Sequence, residues 1–252
     1  MKRLYLISVI LLTACSDDNQ IIKDFENQLH HDRDYNCSSL NVSTFKIHNI
    51  SPDTYQLKGE LTFTEDTYSS ITSIGTRFID EDRPLLFIKK TGHRGDKIPF
   101  AAQITKGVKK YHIQALRKYD PQSDTYSASV NSACGMPLRL YSEGDYQIYI
   151  LNSDDYHSKI KSINSYLDNI KNEIKSAQDI QKTKDDQYVK DNKDVRYEGD
   201  LNKYELALQE QKVLTDKYFE LKRENENHIG ELRYKTEVIN RALDFLKSKS
   251  DE

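Results

Sequence analysis

Tryptophan is absent from the 252 residues, basic charge is not in excess, and beyond the first residues there is no long apolar run. With 37% hydrophobic against 31% charged residues and a mean hydropathy of -0.79, the core is expected to be modest. An extended, solvent-washed element should carry most of the charge. A formal net charge of -3 presents no basic field, which excludes nucleic acid as the expected partner. After residue 15 no stretch approaches the roughly 18 apolar residues of a membrane-spanning helix. Chemical motifs are missing too. His30, His31, His48, His93, His112, His157 and His228 are scattered, and His30-His31-Asp32, the nearest thing to a ligand group, reads as a solvated helix end. There is no Gly-x-Ser-x-Gly elbow, His-Glu-x-x-His helix or phosphate loop. No catalytic residue, metal or other cofactor is therefore assigned, and a non-enzymatic protein is expected ahead of an envelope hydrolase whose site assembles from distant residues.

What is present begins at the N-terminus. Lys2 and Arg3 precede an apolar run from Leu4 to Leu12, followed by Thr13-Ala14-Cys15. A positive segment, about nine apolar residues and a small-residue cleavage point make residues 1–14 a secretory signal peptide, too short to span a bilayer. Leu12-Thr13-Ala14-Cys15 resembles the lipobox of bacterial lipoproteins. That resemblance implies cleavage before Cys15, attachment of diacylglycerol to its thiol and of a further acyl chain such as palmitate to its amine. It also implies a mature protein anchored to a membrane of the cell envelope and facing the periplasm. Ser16 stands where an inner-membrane retention Asp would stand, which favours the outer membrane. No family is recognised in residues 16–252.

The remaining cysteines agree with that address. Cys37 and Cys134 are an even number in an oxidising compartment, and they are expected to form a disulfide. Asn-x-Ser triplets at Asn36, Asn41 and Asn49 are glycan acceptors only in a eukaryotic secretory route, which the lipobox argues against. Arg94-Gly95-Asp96 spells an adhesion tripeptide but reads as turn chemistry. Seventeen tyrosines suit either interfaces or sheet packing, with Tyr55, Tyr111, Tyr146 and Tyr149 at sheet positions.

Residues 15–36 are expected to form a polar tether, Ser16 to Asn19, and a short amphipathic helix capped by Asp17 or Asp18. Its face of Ile21, Ile22, Phe25 and Leu29 should dock on the protein's own core. Residues 37–152 change to a period of two. Val42, Phe45 and Ile47, then Tyr55, Leu57, Leu61 and Phe63, flank the turn Ser51-Pro52-Asp53 as a hairpin. Further strands are expected at Ile74–Ile79, Leu85–Lys89, Ile98–Ile104, Tyr111–Leu116, Tyr126–Val130, Leu138–Tyr141 and Tyr146–Leu151. That pattern is an antiparallel β domain, a sandwich or open barrel.

Residues 153–249 are expected to be a coiled-coil hairpin, giving an α+β fold. Ile160, Ile163, Leu167, Ile170, Ile174 and Ala177 form a heptad seam, and Gly199 marks a reversal between about residues 185 and 200. For the second helix, a strict heptad from Leu201 puts Lys222 and Asn225 in the seam and leaves Leu214 and Leu221 outside. The preferred frame is therefore Tyr204, Ala207, Gln211, Leu214, Tyr218, Leu221, Asn225, Ile229, Leu232, Thr236, Ile239, Leu243 and Leu246, with a stutter at Asn225. On equal helical rises, residue 225 would lie level with Ile160, and residues 229–246 would overshoot and pack back on the β domain.

The function expected from this outline is a membrane-anchored lipoprotein that binds a protein partner of the envelope through its coiled coil, in an oligomeric state that the sequence leaves open. The alternative is a protective lipoprotein for immunity, exclusion or inhibition, which meets an incoming toxin, phage or enzyme with its β-domain loops.

Overall fold

The computed structural model describes residues 3–250 apart from 33, 34, 36, 131–133, 193 and 194, with backbone alone for residues 3–16. The fold is α+β, with antiparallel sheets followed by two long C-terminal helices. Two compact units divide it: Met1–Ile71 with Leu86–Leu151, and Thr72–Leu85 with Asn152–Glu252.

In chain order the elements of the first part are α1 (Arg3–His31), β1 (Leu40–Ser51), β2 (Thr54–Phe63), β3 (Thr67–Ile74), β4 (Leu85–Gly92), β5 (Lys97–Lys106), β6 (Tyr111–Asp120), β7 (Thr125–Ser129), β8 (Met136–Pro137), α2 (Leu138–Ser142) and β9 (Gln147–Ile150). One sheet has the order β1-β2-β5-β6-β7 and the other β8-β3-β4-β9. The hairpin read from Ser51-Pro52-Asp53 is β1–β2, with Ile47 opposite Leu57 and Val42 opposite Leu61. Alternation puts Leu57, Leu61, Phe100, Ala102, Ile104 and Leu116 on one face, and α1 covers them with Ile21, Phe25 and Leu29. The Phe25 and Phe100 rings stack at 5.3 Å.

Helix α1 also seals two strand edges. On β6, Gln28 Nε2 donates to the Tyr111 carbonyl at 2.6 Å, and its Oε1 accepts from the Ile113 amide at 3.1 Å. Asp24 accepts from the Tyr111 amide at 2.9 Å. On β1, Glu26 accepts from the Val42 amide at 3.0 Å, and His30 Nε2 donates to the Leu40 carbonyl at 2.7 Å. Backbone groups without a strand neighbour thus find helical side chains, as buried polar groups must. Burial pushes the Tyr111 phenol at this junction up to about 12.

Three local expectations need correction. Ser16–Asn19 is not a tether: α1 runs straight through it, and Asp17 and Asp18 are interior, because residues 3–31 contain no Gly or Pro to stop a helix. Ile74–Ile79 is not a strand. β3 ends at Ile74, and Thr76–Phe78 forms a 3-10 turn closed by the Phe78 amide on the Gly75 carbonyl at 3.0 Å. Leu138–Tyr141 is the short helix α2, for which Pro137 at φ -65° supplies the entry. Arg94-Gly95-Asp96 lies in the β4–β5 turn, where Gly95 takes φ +91° and the Asp96 amide donates to the His93 carbonyl at 3.0 Å.

The second unit contains α3 (Asp154–Asp191) and α4 (Leu201–Ser250). Ser153 caps α3 by accepting from the Tyr156 amide at 3.2 Å, with Asp154 and Asp155 in the positive first turn. Gly199 at φ +93° lies in the reversal. The two helices pair antiparallel. Asn225 Nδ2 donates to the Ala177 carbonyl at 3.0 Å, His228 meets Glu173 at 3.0 Å, and Ser250 donates to Asn152 at 2.5 Å.

That register overturns the expected overshoot. Residue 225 is level with Ala177, not Ile160, and the end of α4 is level with the start of α3. The reason is the connection. Extended chain covers about 3.3 Å per residue against 1.5 Å in a helix, so residues 195–200 climb past the end of α3 and α4 starts further out. Tyr197 there meets Tyr204 with ring centroids 5.8 Å apart. At the other end, Ile229, Leu232, Ile239 and Leu246 are buried. In the same unit Tyr234 touches Phe78 at 5.9 Å, and Lys159 pairs with Glu81 at 2.7 Å.

Candidate interaction surfaces

Of the residues singled out from sequence, the side chain of Cys15 lies outside those described. Cys37 and Cys134 are joined, Cα to Cα 5.1 Å apart, with Cys37 buried in the core beneath α1. Among the described residues no group of three His, Cys, Asp or Glu side chains is placed to hold a metal ion, and no helix is long and apolar enough to cross a membrane. Tyr55 and Tyr111 are packed edge to face at 5.6 Å, whereas Tyr146 is exposed.

One ordered surface cluster belongs to the β6–β7 turn. Asp120 accepts from the Gln122 amide at 2.9 Å and the Ser123 hydroxyl at 2.7 Å, which fixes the turn that places Asp124. Asp124 accepts from the Tyr119 hydroxyl at 2.7 Å and pairs with Lys58 at 3.1 Å. Those two contacts, in that order, hold its carboxyl below the usual carboxylate range. Lys58 lies 4.4 Å over the Tyr119 ring, and Tyr126 accepts from Gln56 at 3.0 Å. The result is an aromatic patch on the exposed sheet face beside a groove that includes Thr44, Lys46 and His48.

The hairpin carries the larger anomaly. From Tyr156 to Ala177 the α3 seam is apolar, with Ile163, Leu167 and Ile170 buried. Beyond Ala177 the same stripe continues as Gln181, Asp185, Tyr188 and Asn192, and the facing stripe of α4 is Asn225, Lys222, Tyr218, Thr215 and Gln211. These side chains form a hydrogen-bonded seam. Asn225 donates to Gln181 at 3.2 Å, Gln181 to Asp185 at 2.6 Å, and the Tyr218 hydroxyl to Asp185 at 2.5 Å. Lys222 donates to the Tyr218 hydroxyl at 3.3 Å, and Tyr188 stacks on Tyr218 with centroids 4.0 Å apart. Tyr188 bonds Thr215 at 3.2 Å, and Gln211 reaches Asn192 at 2.9 Å. The donors Tyr218 and Gln181, with Lys222 close by, hold the Asp185 carboxyl below the usual range, and its bond to Asp185 raises the Tyr218 phenol.

The expected frame of α4 departs locally: Thr215 and Lys222 face α3 between Gln211 and Asn225, whereas Tyr204, Gln211, Tyr218, Asn225, Ile229, Leu232, Ile239 and Leu246 keep their expected places on the inward stripe. Leu214, expected in the seam, is 38% exposed, and Thr215 takes the inward place. The missed signal was on the other helix: Gln181, Asp185, Tyr188 and Asn192 carry the α3 stripe onward as polar residues, with two successive four-residue steps from Ala177 to Asp185 that break the strict heptad, and they face Lys222 and Asn225.

Apolar residues of this part of the hairpin point outward instead. Leu206 and Val213 are 59% and 62% exposed, and Phe219, Ile180 and Val189 are exposed with them; Leu201 and Leu208 are exposed where α4 runs beyond the end of α3. Polar groups face the intramolecular seam and large aliphatic groups face solvent, the inverse of an ordinary amphipathic hairpin.

No family model matches the chain, and neither curated proteins nor solved structures give a match.

Proposed function

We propose that this is a lipid-anchored envelope protein that acts by binding, without catalysis, through the connecting end of its α3–α4 hairpin. The observation that carries the proposal is the inversion just described. A seam satisfied by its own hydrogen bonds makes the hairpin self-sufficient, and the outward Leu206, Val213 and Leu214 are then free to bury against another surface. Burying such side chains contributes about 25 cal/mol per Å² of apolar surface removed from water, which gives association a driving force that a charged helix face lacks. Anchoring follows from the lipobox at Leu12-Thr13-Ala14-Cys15, with Cys15 as the acylated residue and the periplasmic side of the outer membrane as the address.

Substituting Leu206→Glu and Val213→Glu together leaves the helical signal intact and removes envelope proteins that co-purify after mild detergent extraction. Unchanged co-purification sinks the binding role. Cys15→Ala transfers a folded chain to the soluble fraction; continued membrane association contradicts the anchor.

A second reading, the protective lipoprotein, is favoured by the ordered Lys58–Tyr119–Asp124–Tyr126 patch, since tyrosine gives large, rigid contact area at an interface. Challenge of a sensitive host separates the two. Protection that survives Leu206→Glu with Val213→Glu but is lost with Tyr119→Ala and Tyr126→Ala supports the second.

A further inference from the structure

Helix α4 carries two stripes. The hairpin uses Gln211, Thr215, Tyr218 and Lys222. The other stripe, Lys203, Leu206, Glu210, Val213, Leu214, Lys217, Leu221 and Glu224, runs along a different side of the helix in three- and four-residue steps apart from the adjacent pair Val213 and Leu214 at its centre. Leu206, Glu210, Val213, Leu214 and Lys217 line one shallow depression there.

This second stripe is complementary to itself in one arrangement. Laid antiparallel on a second copy, about a two-fold axis between Val213 and Leu214, Val213 meets Leu214 of the other chain and Leu206 meets Leu221. In the same register Glu210 meets Lys217 and Lys203 meets Glu224. Every apolar position finds an apolar one and every charge finds its opposite. A parallel arrangement in register would set Glu210 on Glu210 and Lys217 on Lys217, which like-charge repulsion opposes.

We propose that the occupant of this face is a second copy of the chain, joined through α4 as an antiparallel two-fold dimer centred on Val213 and Leu214. This rests on the hairpin's connecting end being the binding element. A two-fold contact of this kind closes on itself, so it gives a dimer and not a filament. The stripe from residue 203 to residue 224 is about 33 Å long at 1.5 Å per residue. Such a short seam is concentration-dependent in solution, and confinement of anchored chains to one membrane surface raises the effective concentration.

The test uses the full chain in mild detergent with single cysteines added. Val213→Cys sits at the axis and gives an oxidised, disulfide-linked dimer. Leu206→Cys alone does not, because in the proposed pair its two copies lie about 22 Å apart, whereas a disulfide needs Cα atoms within about 7 Å. Mixing Leu206→Cys with Leu221→Cys chains restores the link. Glu210→Lys weakens the dimer in sedimentation by roughly tenfold, and adding Lys217→Glu to it restores the original affinity.

Equal cross-linking by Leu206→Cys alone, or a monomer at every concentration, overturns the dimer. If the chain stays monomeric while Leu206→Glu with Val213→Glu still strips an envelope protein, the self-pairing fails and the binding role stands. If both are negative, both fail.

Discussion

Phe25→Ala lowers the stability of the first unit by about 3–5 kcal/mol, as expected for truncating a fully buried aromatic that leaves a cavity. Phe25 is 1% exposed and stacked on Phe100, between Ile21 and Leu29 on the face of α1 that covers the five-stranded sheet. The loss falls on more than one side chain. Asp24, Glu26, Gln28 and His30 hold backbone groups of β6 and β1, and these contacts depend on α1 staying seated. Against a typical total of about 5–15 kcal/mol, the substitution leaves the unit near its limit. Chemical denaturation followed by tyrosine fluorescence measures it. A loss below about 1 kcal/mol would mean that α1 is not part of the core.

Cys134→Ser, or reduction of the wild-type chain, lowers stability by about 2–5 kcal/mol. The bond joins residues 97 apart and links the start of the sheet region to the segment after β7. It constrains the unfolded chain most because the loop is long. Thermal melts with and without reductant read the effect. Identical melts for reduced, oxidised and Cys134→Ser protein would show that the bridge contributes nothing.

Legibility followed the strength of each local signal. Alternation in β2, β5 and β6 identified those strands because one face of each is buried in the core that α1 covers, and period two records that constraint; β1 is mostly exposed, with Val42 and Ile47 half-buried and Phe45 exposed. Leu138–Tyr141 failed because four residues cannot distinguish alternation from a helical turn, and Pro137 was the deciding residue. The register of α3 and α4 was missed for a metric reason: connection length was counted in residues, whereas an extended residue spans about twice the rise of a helical one. The expected seam of α4 held at Gln211, Tyr218 and Asn225 and failed at Leu214, because apolarity was taken to mark the inside. Thr215 and Lys222 are inside, bonded to Tyr188 and Tyr218, and Leu206, Val213 and Leu214 are outside. The candidate surface was therefore hidden in the same preference that misplaced Leu214. Sealing of β1 and β6 by Gln28 and Glu26 left no sequence trace, since a polar residue on a helix reads as solvated until its partner strand is known.

The claim that the hairpin's connecting end works through its outward apolar face is tested most directly by a photo-reactive residue placed at successive positions of α4 in membrane-anchored protein. Leu206, Val213 and Leu214 should give adducts of higher mass, because their side chains meet another chain. Gln211 and Tyr218 should react only within the chain, against α3. Silence at all three outward positions, or intermolecular adducts from the seam positions instead, would contradict the account.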